Sequence, residues 1–471
     1  MDDIARRLIT HAMDTISSGK HTDSTTTRLV EFALGAEYRA LDAPTVHACK
    51  QRLIDTFAGA MGAYDEPLSA MARSLARRCA GTPAASVWGS DIKTTPEAAA
   101  FANGTMLRFL DISDTYMGLG GGHPSDMLAG ILAVAESVRA DGANVINAMT
   151  IAYDVYCSLN DAVDIGAKGW DQTLYGVLGT VLGVGKLMRL SREQMGNAVS
   201  LALTPNMALR QTRQGDLSSW KGCAGANAAR NAVFAAVLAQ EGFTGPAEAF
   251  EGKQGLWNVL GRFEWKLPAP GDARMVTQTN LKSLPVCYHG QSAVLCALEL
   301  QPRVNVAAIR EVHVEAYRGA VTQMGGEPSR WAPTTRETAD HSLPYTIAIA
   351  LLDGAVTVRS FGPQRFTEPA VVDLMRKVKV TEDAKLTAQY PESSPSRVTI
   401  TLTSGEVYIK EMRYPKGHVR NAMDDHEIEA KFHDLCGPRI AAANRQELLR
   451  RLWNFERVTD IEAEILGLLA V

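Results

Sequence analysis

Hydrophobic positions in the first half of the chain recur at helical spacing. From about Ser24 to Asn258, Ala, Leu, Val and Met return every three or four residues, interrupted by Gly, Pro and Asp. This period is typical of amphipathic helices. The clearest predicted helix starts at Pro124-Ser125-Asp126, and another covers residues 222–242, where small residues permit close packing. The pattern predicts an all-helical domain.

The pattern changes at Pro268, which opens a Pro-Ala-Pro-Gly stretch. The segments that follow alternate apolar and polar residues with period two, as half-buried strands do. Strands are predicted over residues 310–317, 376–383 and 396–412, the last as two strands joined at Thr403-Ser404-Gly405, with helices over 291–300 and 341–352. This middle part predicts an α+β domain. From residue 422 the pattern is helical again, so we expect this end to rejoin the first domain.

Length and charge narrow the class of protein. The chain has 471 residues, of which 46% are hydrophobic and 21% charged, with 48 Lys and Arg against 52 Asp and Glu. Such a balance predicts a soluble protein of two domains whose main partner is neither nucleic acid nor a membrane. Residues 1–20 are amphipathic and acidic at their start, which predicts an ordinary first helix instead of a signal peptide.

The seven cysteines are scattered singly, with neither a CxxC pair nor the spacing of a zinc site. Iron–sulfur clusters and structural zinc ions are held by closely spaced cysteines. The sequence therefore predicts reduced thiols in the cytoplasm, and we expect no metal and no other cofactor.

Residues 109–127 form the first of four segments that mix polar residues with glycine and proline. Asp111, Asp114 and Thr115 precede a triple-glycine run, and His123 stands at the mouth of the next helix. Glycines allow close approach of backbone to a ligand, and a helix N-terminus favours an anion. A connection whose aspartates only cap helices fits the same residues equally well.

The second segment, residues 208–223, carries Arg210, Arg213 and Lys221 around a Gly-Asp turn. These cations are suited to holding carboxylates, with arginine able to bind both oxygens at once. Composition alone favours the alternative, a solvated surface loop.

The third segment, residues 281–300, places Lys282 and His289 on either side of Pro-Val-Cys-Tyr, next to the domain boundary where sites often form. A lone histidine is more often structural than catalytic. Cys287 is a possible nucleophile, but no Cys/His/Asn signature surrounds it, so a buried bystander thiol is the preferred interpretation.

The fourth segment, residues 339–354, has His341 at a helix start, which helix initiation and core packing largely explain. Lys416 and His418, in a Pro-Gly turn, are interpreted as part of a structural crossover between domains.

Taken in order, these segments contain DxxDT, GGHPSD, WKGCAxANAARN, KSLPVCYHGQSA, ADHSLPY, LLDG and RYPKGH. This ordered set spans nearly the whole chain and resembles the MmgE/PrpD family. The family includes 2-methylcitrate dehydratases, cis-aconitate decarboxylases and an iminodisuccinate epimerase. The resemblance implies a mainly α fold with an α+β lid. In that fold a large helical domain built from both chain ends (residues 1–267 and 412–471) carries a smaller inserted α+β domain (268–411), usually in a homodimer.

The resemblance also implies a function and a site in the cleft between the helical domain and the α+β lid. We expect a lyase, of the hydro-lyase type, that dehydrates a small 2-methylcitrate-like polycarboxylate in propionate metabolism by metal-independent acid/base catalysis. The alternatives are a decarboxylase or epimerase, and a non-catalytic carboxylate-binding protein. The implied catalytic residues are Asp111, His123, Lys221, Lys282 and His289, and the implied substrate-binding residues are Asp114, Thr115, Trp170, Asp171, Arg210 and Cys287.

Roles follow from the chemistry of dehydration. His123 is expected to carry the proton, with His289 as the partner acid from the lid and Lys221 among the cations that neutralise the substrate. Asp111 is expected either to orient His123 or to accept a substrate hydroxyl. Where the decarboxylases have two active-site histidines, this chain has Trp170 or Asp171 at one position and Cys287 nearest the other. Both departures favour the dehydratase interpretation.

Overall fold

The first and larger part of the molecule is helical. The computed structural model describes residues 23–470, so the helix predicted for residues 1–20 lies outside the described residues. The helices of this part are α1 (Ser24–Gly35), α2 (Ala43–Gly62), α3 (Pro67–Ala76), α4 (Pro96–Phe109), α5 (Leu128–Ser137), α6 (Gly142–Ala162), α7 (Thr173–Leu187), α8 (Arg192–Leu203), α9 (Trp220–Gln240) and α10 (Leu256–Leu260). Two short antiparallel pairs join them, β1 (Ala85–Ser86) with β2 (Lys93–Thr94) and β3 (Tyr116–Met117) with β4 (Gly121–Gly122).

Local sequence signals fix where these helices begin. Asp141 caps α6 by accepting a hydrogen bond from the backbone N–H of Asn144. The helix predicted from Pro124 does start there, but its first turn, Pro124–Met127, is a tighter 3-10 turn that leads into α5. Small residues let α4 and α9 approach closely, since a Cβ on Gly104 would lie 2.8 Å from the Cβ of Ala226.

The second part contains the four-stranded sheet. Its elements are α11 (Gln291–Leu300), β5 (Ile309–Ala316), α12 (Arg318–Gly325), α13 (Arg336–Ala339), α14 (Leu343–Asp353), α15 (Pro369–Met375), β6 (Val378–Glu382), α16 (Ala384–Thr387), β7 (Ser396–Leu402) and β8 (Val407–Met412). The strand order is β6-β5-β7-β8, with β5 and β6 parallel and the other pairs antiparallel. Helices α11 and α14 pack together beside the sheet, and their apolar residues share its core.

The chain then returns to the helical part through α17 (Asp425–Cys436), α18 (Ala442–Leu452) and α19 (Ile461–Glu464). Helix α17 packs on α2, and the Lys431 ammonium at their contact donates to Asp55 and to the backbone carbonyl of Lys282, the latter at 2.8 Å. One hydrophobic core runs from Leu29 to Leu469 through both chain ends. The predicted fold class, a mainly helical body with a small inserted α+β part, is confirmed.

The helical part, here called the body, and the part with the four-stranded sheet, called the lid, each have a main hydrophobic core of their own. Leu281 still belongs to the core of the body, whereas Val286 belongs to that of the lid. On the return, Met412 packs against the lid core and Met423 lies in the body core. Residues just after Pro268 therefore remain attached to the body, although proline interrupts the helical pattern there; the exact domain bounds stay a prediction.

Among residues 23–470, no helix is both long and apolar enough to cross a membrane. All seven cysteines are free, and six of them are buried.

Candidate active site

A cavity of about 270 Å³ lies between the body and the lid. All four segments that the sequence singled out contribute to its wall. The charged and polar residues of the wall include Arg108, Thr115, His123, Asp164, Gln172, Arg210, Arg213 and Lys221 from the body, and Cys287, Tyr288, His289, Gln323, Arg330, His341 and Tyr390 from the lid. The glycines Gly120–Gly122 and Gly166, with the side chains of Met117, Leu119, Ile165, Tyr175 and Leu217, complete the body side.

Asp111 lies beneath this wall and is 1% exposed. Its Oδ1 accepts hydrogen bonds from Arg108 and from the Lys282 ammonium, both at 2.6 Å, and its Oδ2 lies 3.3 Å from the Lys221 ammonium. Burial alone would raise the pKa of this carboxyl, but the three cations hold it well below its usual range. Asp111 is therefore a permanent carboxylate that fixes the position of Arg108, Lys221 and Lys282.

The Lys221 ammonium lies at the centre of a buried cluster. It is 3.3 Å from Asp111 Oδ2, 3.4 Å from Asp340 Oδ1 and 3.3 Å from His341 Nδ1. Within the described residues these same three partners are the one group whose ligand atoms lie close enough together to hold a metal ion, all within 4.8 Å. The ammonium of Lys221 is itself the cation that this cluster surrounds. A divalent ion bound to the same three groups would be repelled by this positive charge at close range. Metal independence remains a prediction, which this arrangement favours.

His123 is held in one tautomer by the backbone. Its Nδ1 lies 2.8 Å from the carbonyl oxygen of Asp114 and 3.0 Å from the Thr115 hydroxyl. Because a carbonyl can only accept, Nδ1 must carry the hydrogen, which leaves a lone pair on Nε2. Burial lowers the pKa of His123 well below its usual value, and Arg108 and Lys282 lower it further. The result is a neutral imidazole with one basic nitrogen.

Asp114 holds the loop that carries His123 and does not line the cavity. Its Oδ1 accepts from the Ser125 backbone N–H at 2.9 Å, and its Oδ2 accepts from the Tyr153 hydroxyl at 2.8 Å. Gly122 is required in the same loop, because a Cβ there would lie 1.9 Å from the side-chain oxygen of Gln172. Asp114 and Gly122 thus hold His123 at the cavity, and the glycines Gly120–Gly122 also line it.

The second segment brings its arginines to the cavity, whereas Trp170 and Asp171, which the resemblance also implied as substrate-binding residues, lie outside the cavity wall. Arg210 and Arg213 lie in a 3-10 turn, Arg210–Arg213, and both line the cavity. Asp171 is fully buried behind them and pairs with the Arg213 Nε at 2.9 Å. Trp170 packs against the body core and pairs its backbone with Leu209. Neither Trp170 nor Asp171 is part of the cavity wall, so Asp171 acts on the wall through Arg213.

Lid residues close the cavity. His289 Nδ1 lies 2.6 Å from the Tyr317 hydroxyl, and burial, with the positive charge of His341 and Arg210, lowers the pKa of His289 to about 3. His289 is therefore neutral near pH 7. The wall also includes Cys287, whereas the neighbouring Lys282 lies below it on Asp111.

His341 is the main site residue that the sequence interpretation undervalued. Its Nδ1 lies 2.5 Å from Asp340 Oδ1, and its ring lines the cavity. Burial would lower its pKa, but Cys287 and Asp340 outweigh that effect and the opposing charge of Lys221, so the pKa is raised. The Asp-His pair inside ADHSLPY was the available signal, since an adjacent carboxylate favours an imidazolium.

Two cavity arginines were missed altogether. Arg108 stands one turn before Asp111 on the last turn of α4, a spacing that could have indicated their ion pair. Arg330 belongs to an irregular turn, Pro328–Trp331, that carries no recognisable pattern.

Comparison with known proteins places the chain in a family. Residues 27–267 match the MmgE/PrpD N-terminal domain, and residues 284–454 match the MmgE/PrpD C-terminal domain. The chain belongs to the MmgE/PrpD family. The predicted family membership is thereby confirmed, and five of the seven motifs that carried it contribute residues to the wall of one cavity in this MmgE/PrpD protein.

Curated relatives of this MmgE/PrpD protein match most of its length. The 2-methylcitrate dehydratase of Escherichia coli (strain K12) is 27% identical over 430 residues, which are 84% of this chain and 86% of the relative. That of Cupriavidus necator is 28% identical over 393 residues, 78% of this chain and 80% of the relative. The cis-aconitate decarboxylase of Homo sapiens is 24% identical over 442 residues, 88% of each chain. The predicted likeness to hydro-lyases of the 2-methylcitrate dehydratase type is confirmed.

Proposed function

We propose that this MmgE/PrpD protein dehydrates a small hydroxy polycarboxylic acid of the 2-methylcitrate type. One observation carries the proposal: a neutral His123 with a free basic nitrogen lies in the wall of a cavity rich in cations. The names of the relatives support the same chemistry. Metal-free catalysis, a cytoplasmic location and a homodimer belong to this proposal as well.

The charge of the cavity wall selects an anion. Among residues 23–470, five arginine and lysine side chains line it, Arg108, Arg210, Arg213, Lys221 and Arg330, against one carboxylate, Asp164. Arginine binds carboxylates through two parallel hydrogen bonds, and lysine adds a compact charge. The cavity is near the lower end of the size of small-ligand sites, about 300 Å³. These features suit a compact acid with several carboxylates.

Loss of water needs a base, an acid and positive charge. In the proposed reaction, His123 Nε2 removes a proton from the carbon next to a substrate carboxylate. The electron pair moves into that carboxylate, where Lys221 and the arginines stabilise the enediolate. The pair then forms the carbon–carbon double bond as the neighbouring C–O bond breaks. The departing hydroxide takes a proton and leaves as water.

His341 is the better acid for that last step than His289, the residue expected from the sequence. A group must be protonated to give up a proton, and the pKa of His289 is lowered to about 3, chiefly by burial. His341 has a raised pKa because Cys287 and Asp340 outweigh the effect of its burial. We assign the acid to His341 and a substrate-contacting role in the lid to His289.

The proposal is tested with purified, chelator-treated protein and a panel of citrate-like and malate-like acids, followed by mass analysis of the products. We expect a hydroxy tricarboxylate to lose one water, with no metal added. Tight binding of a tricarboxylate without any conversion would instead identify a carboxylate-binding protein and overturn the proposal.

The pH profile provides a separate prediction. His123 must be neutral to act, and its pKa lies below the ordinary 6.5, so the base is ready at pH values where a free histidine is protonated. His341 must be protonated, and its pKa lies above 6.5. After correction for substrate ionisation, kcat/KM is expected to be flat across pH 6.5 and to fall on either side.

The matched variant for this profile is Asp340→Asn, which removes one of the groups that raise the pKa of His341. Its alkaline limb is expected to move to lower pH while the acid limb stays in place. An acid limb at or above pH 6.5 in the unmodified enzyme would contradict the assignment of His123 as a neutral base.

A further inference from the structure

Cys287 and His341 both line the cavity, and Asp340 lies directly behind them. The backbone N–H of Cys287 donates to the carbonyl of Asp340 at 3.0 Å, and the Cys287 thiol interacts electrostatically with the His341 imidazole. His341 Nδ1 lies 2.5 Å from Asp340 Oδ1. Sequence reasoning found no Cys/His signature around this thiol, because its partners follow far along the chain and only the fold brings them together. Cysteine, imidazole and carboxylate in this order form the arrangement that activates a thiol as a nucleophile.

Several charged groups face this thiol. They are His341, Lys282 and Arg330 with positive charge and Asp111 with negative charge. Burial would raise the pKa of the Cys287 thiol, but His341, helped by Lys282, lowers it below its ordinary value. Such an electropositive setting favours the reactive thiolate over the thiol.

The other cysteines have the opposite environment. Burial raises the pKa of the Cys49 and Cys296 thiols to about 12, and it also raises that of Cys223. Cys79 is the only cysteine with an appreciably exposed side chain, and it lies outside the cavity wall. Cys287 is thus the one thiol that combines a cationic cavity with an imidazole partner.

We propose that Cys287, with His341 and Asp340, is a covalent modification site for small carboxylic acids that carry an electrophilic carbon. The cationic wall, with Lys221 beside His341 and Arg330 facing Cys287, binds the carboxylate of the reagent. Binding places the electrophilic carbon within reach of the thiolate. This site lies beyond the proposed dehydration and does not depend on which bond the enzyme breaks.

The covalent step balances without any redox partner. With a haloacid, the bond from Cys287 Sγ to carbon forms as the carbon–halogen bond breaks, and the halide leaves with its electron pair. With an α,β-unsaturated acid, the Sγ–carbon bond forms at the β carbon and the π electrons move to the α carbon. That carbon takes a proton from His341, which regains one from solvent, so the net change is addition of the thiol.

The test compares iodoacetate with iodoacetamide, which differ in charge but carry the same leaving group. The intact protein is labelled with each, and the rates at Cys287 and Cys79 are measured by peptide mass spectrometry. We expect iodoacetate to be faster at Cys287 by about tenfold or more, because a cleft lined by one sign of charge concentrates its counter-ions. At Cys79 the charged reagent is expected to have no advantage. Citrate should slow only the reaction at Cys287.

Variants define the partners. Cys287→Ser should abolish the labelling that citrate slows. Cys79→Ser, the matched control, should keep both that labelling and the activity. His341→Gln should move the pH midpoint of Cys287 labelling upward. If that variant does not fold, the unmodified protein still decides, because its midpoint is expected below the ordinary thiol value of about 8.5. A midpoint at or above that value, or equal preference for the neutral reagent at Cys287, would overturn the proposal.

Discussion

Replacement of His123 by alanine is expected to lower kcat by about a hundredfold to ten-thousandfold, the contribution of a positioned general base. The Asp114 carbonyl fixes the hydrogen on Nδ1, and the depressed pKa keeps Nε2 unprotonated, so the variant loses the proposed base. The arginines and Lys221 remain in the variant. Substrate affinity is therefore expected to change much less than turnover.

Steady-state kinetics of His123→Ala with the preferred acid check this result, with His313→Ala as the matched control. His313 is partly exposed on β5, outside the cavity wall, and contacts the Thr381 hydroxyl at 2.7 Å, so its loss is expected to leave kcat unchanged. Equal melting temperatures of the two variants would show that the fold is intact. Turnover of His123→Ala within a few-fold of the unmodified enzyme would remove His123 from the mechanism.

Asp111→Asn is expected to reduce the free energy of unfolding by about 3–5 kcal/mol, the usual cost of breaking a buried ion pair on one side. Asp111 is the shared partner of Arg108, Lys221 and Lys282, and an amide would leave these buried cations without their carboxylate. The backbone of Asp111 has φ +51, a left-handed conformation that asparagine tolerates as well as aspartate does. The substitution therefore removes charge without adding backbone strain.

Denaturant unfolding of Asp111→Asn is compared with that of Asp91→Asn. Asp91 forms an exposed ion pair with Arg77 at 3.2 Å, which is expected to contribute less than about 1 kcal/mol. Activity should also fall in Asp111→Asn, because Lys221 loses a partner that holds it beside His341. An unfolding midpoint equal to that of Asp91→Asn would show that the three cations do not need this carboxylate.

Much of the fold followed from local patterns. The helix predicted over residues 291–300 is α11, and the alternation in 396–412 became β7 and β8, with Gly405 in the left-handed region between them at φ +90. These elements are decided by neighbouring residues: hydrophobic period, caps and turn glycines. The residues just after Pro268 were harder to assign to the body from the sequence, because the residues that they pack against lie far away in the chain.

The candidate site could be predicted where a side chain and the residues that position it lie close together in the sequence. His123 and its supporting loop lie in a single stretch, so the glycines and Asp114 indicated the position of the imidazole. The pairing of Cys287 with His341 and the ion pair of Asp171 with Arg213 depend on segments distant in sequence. No local pattern distinguishes such residues from a bystander thiol or a buried acid, and only the fold assigns them their partners.

The most direct test of the account is to follow both possible products in a single reaction of the protein with the hydroxy tricarboxylate that it converts fastest. Ultraviolet absorbance reports the unsaturated acid, and a coupled assay reports carbon dioxide. We predict that unsaturated acid forms in step with substrate loss and that no carbon dioxide is released. Carbon dioxide formed in step with substrate loss would contradict dehydration and identify a decarboxylase.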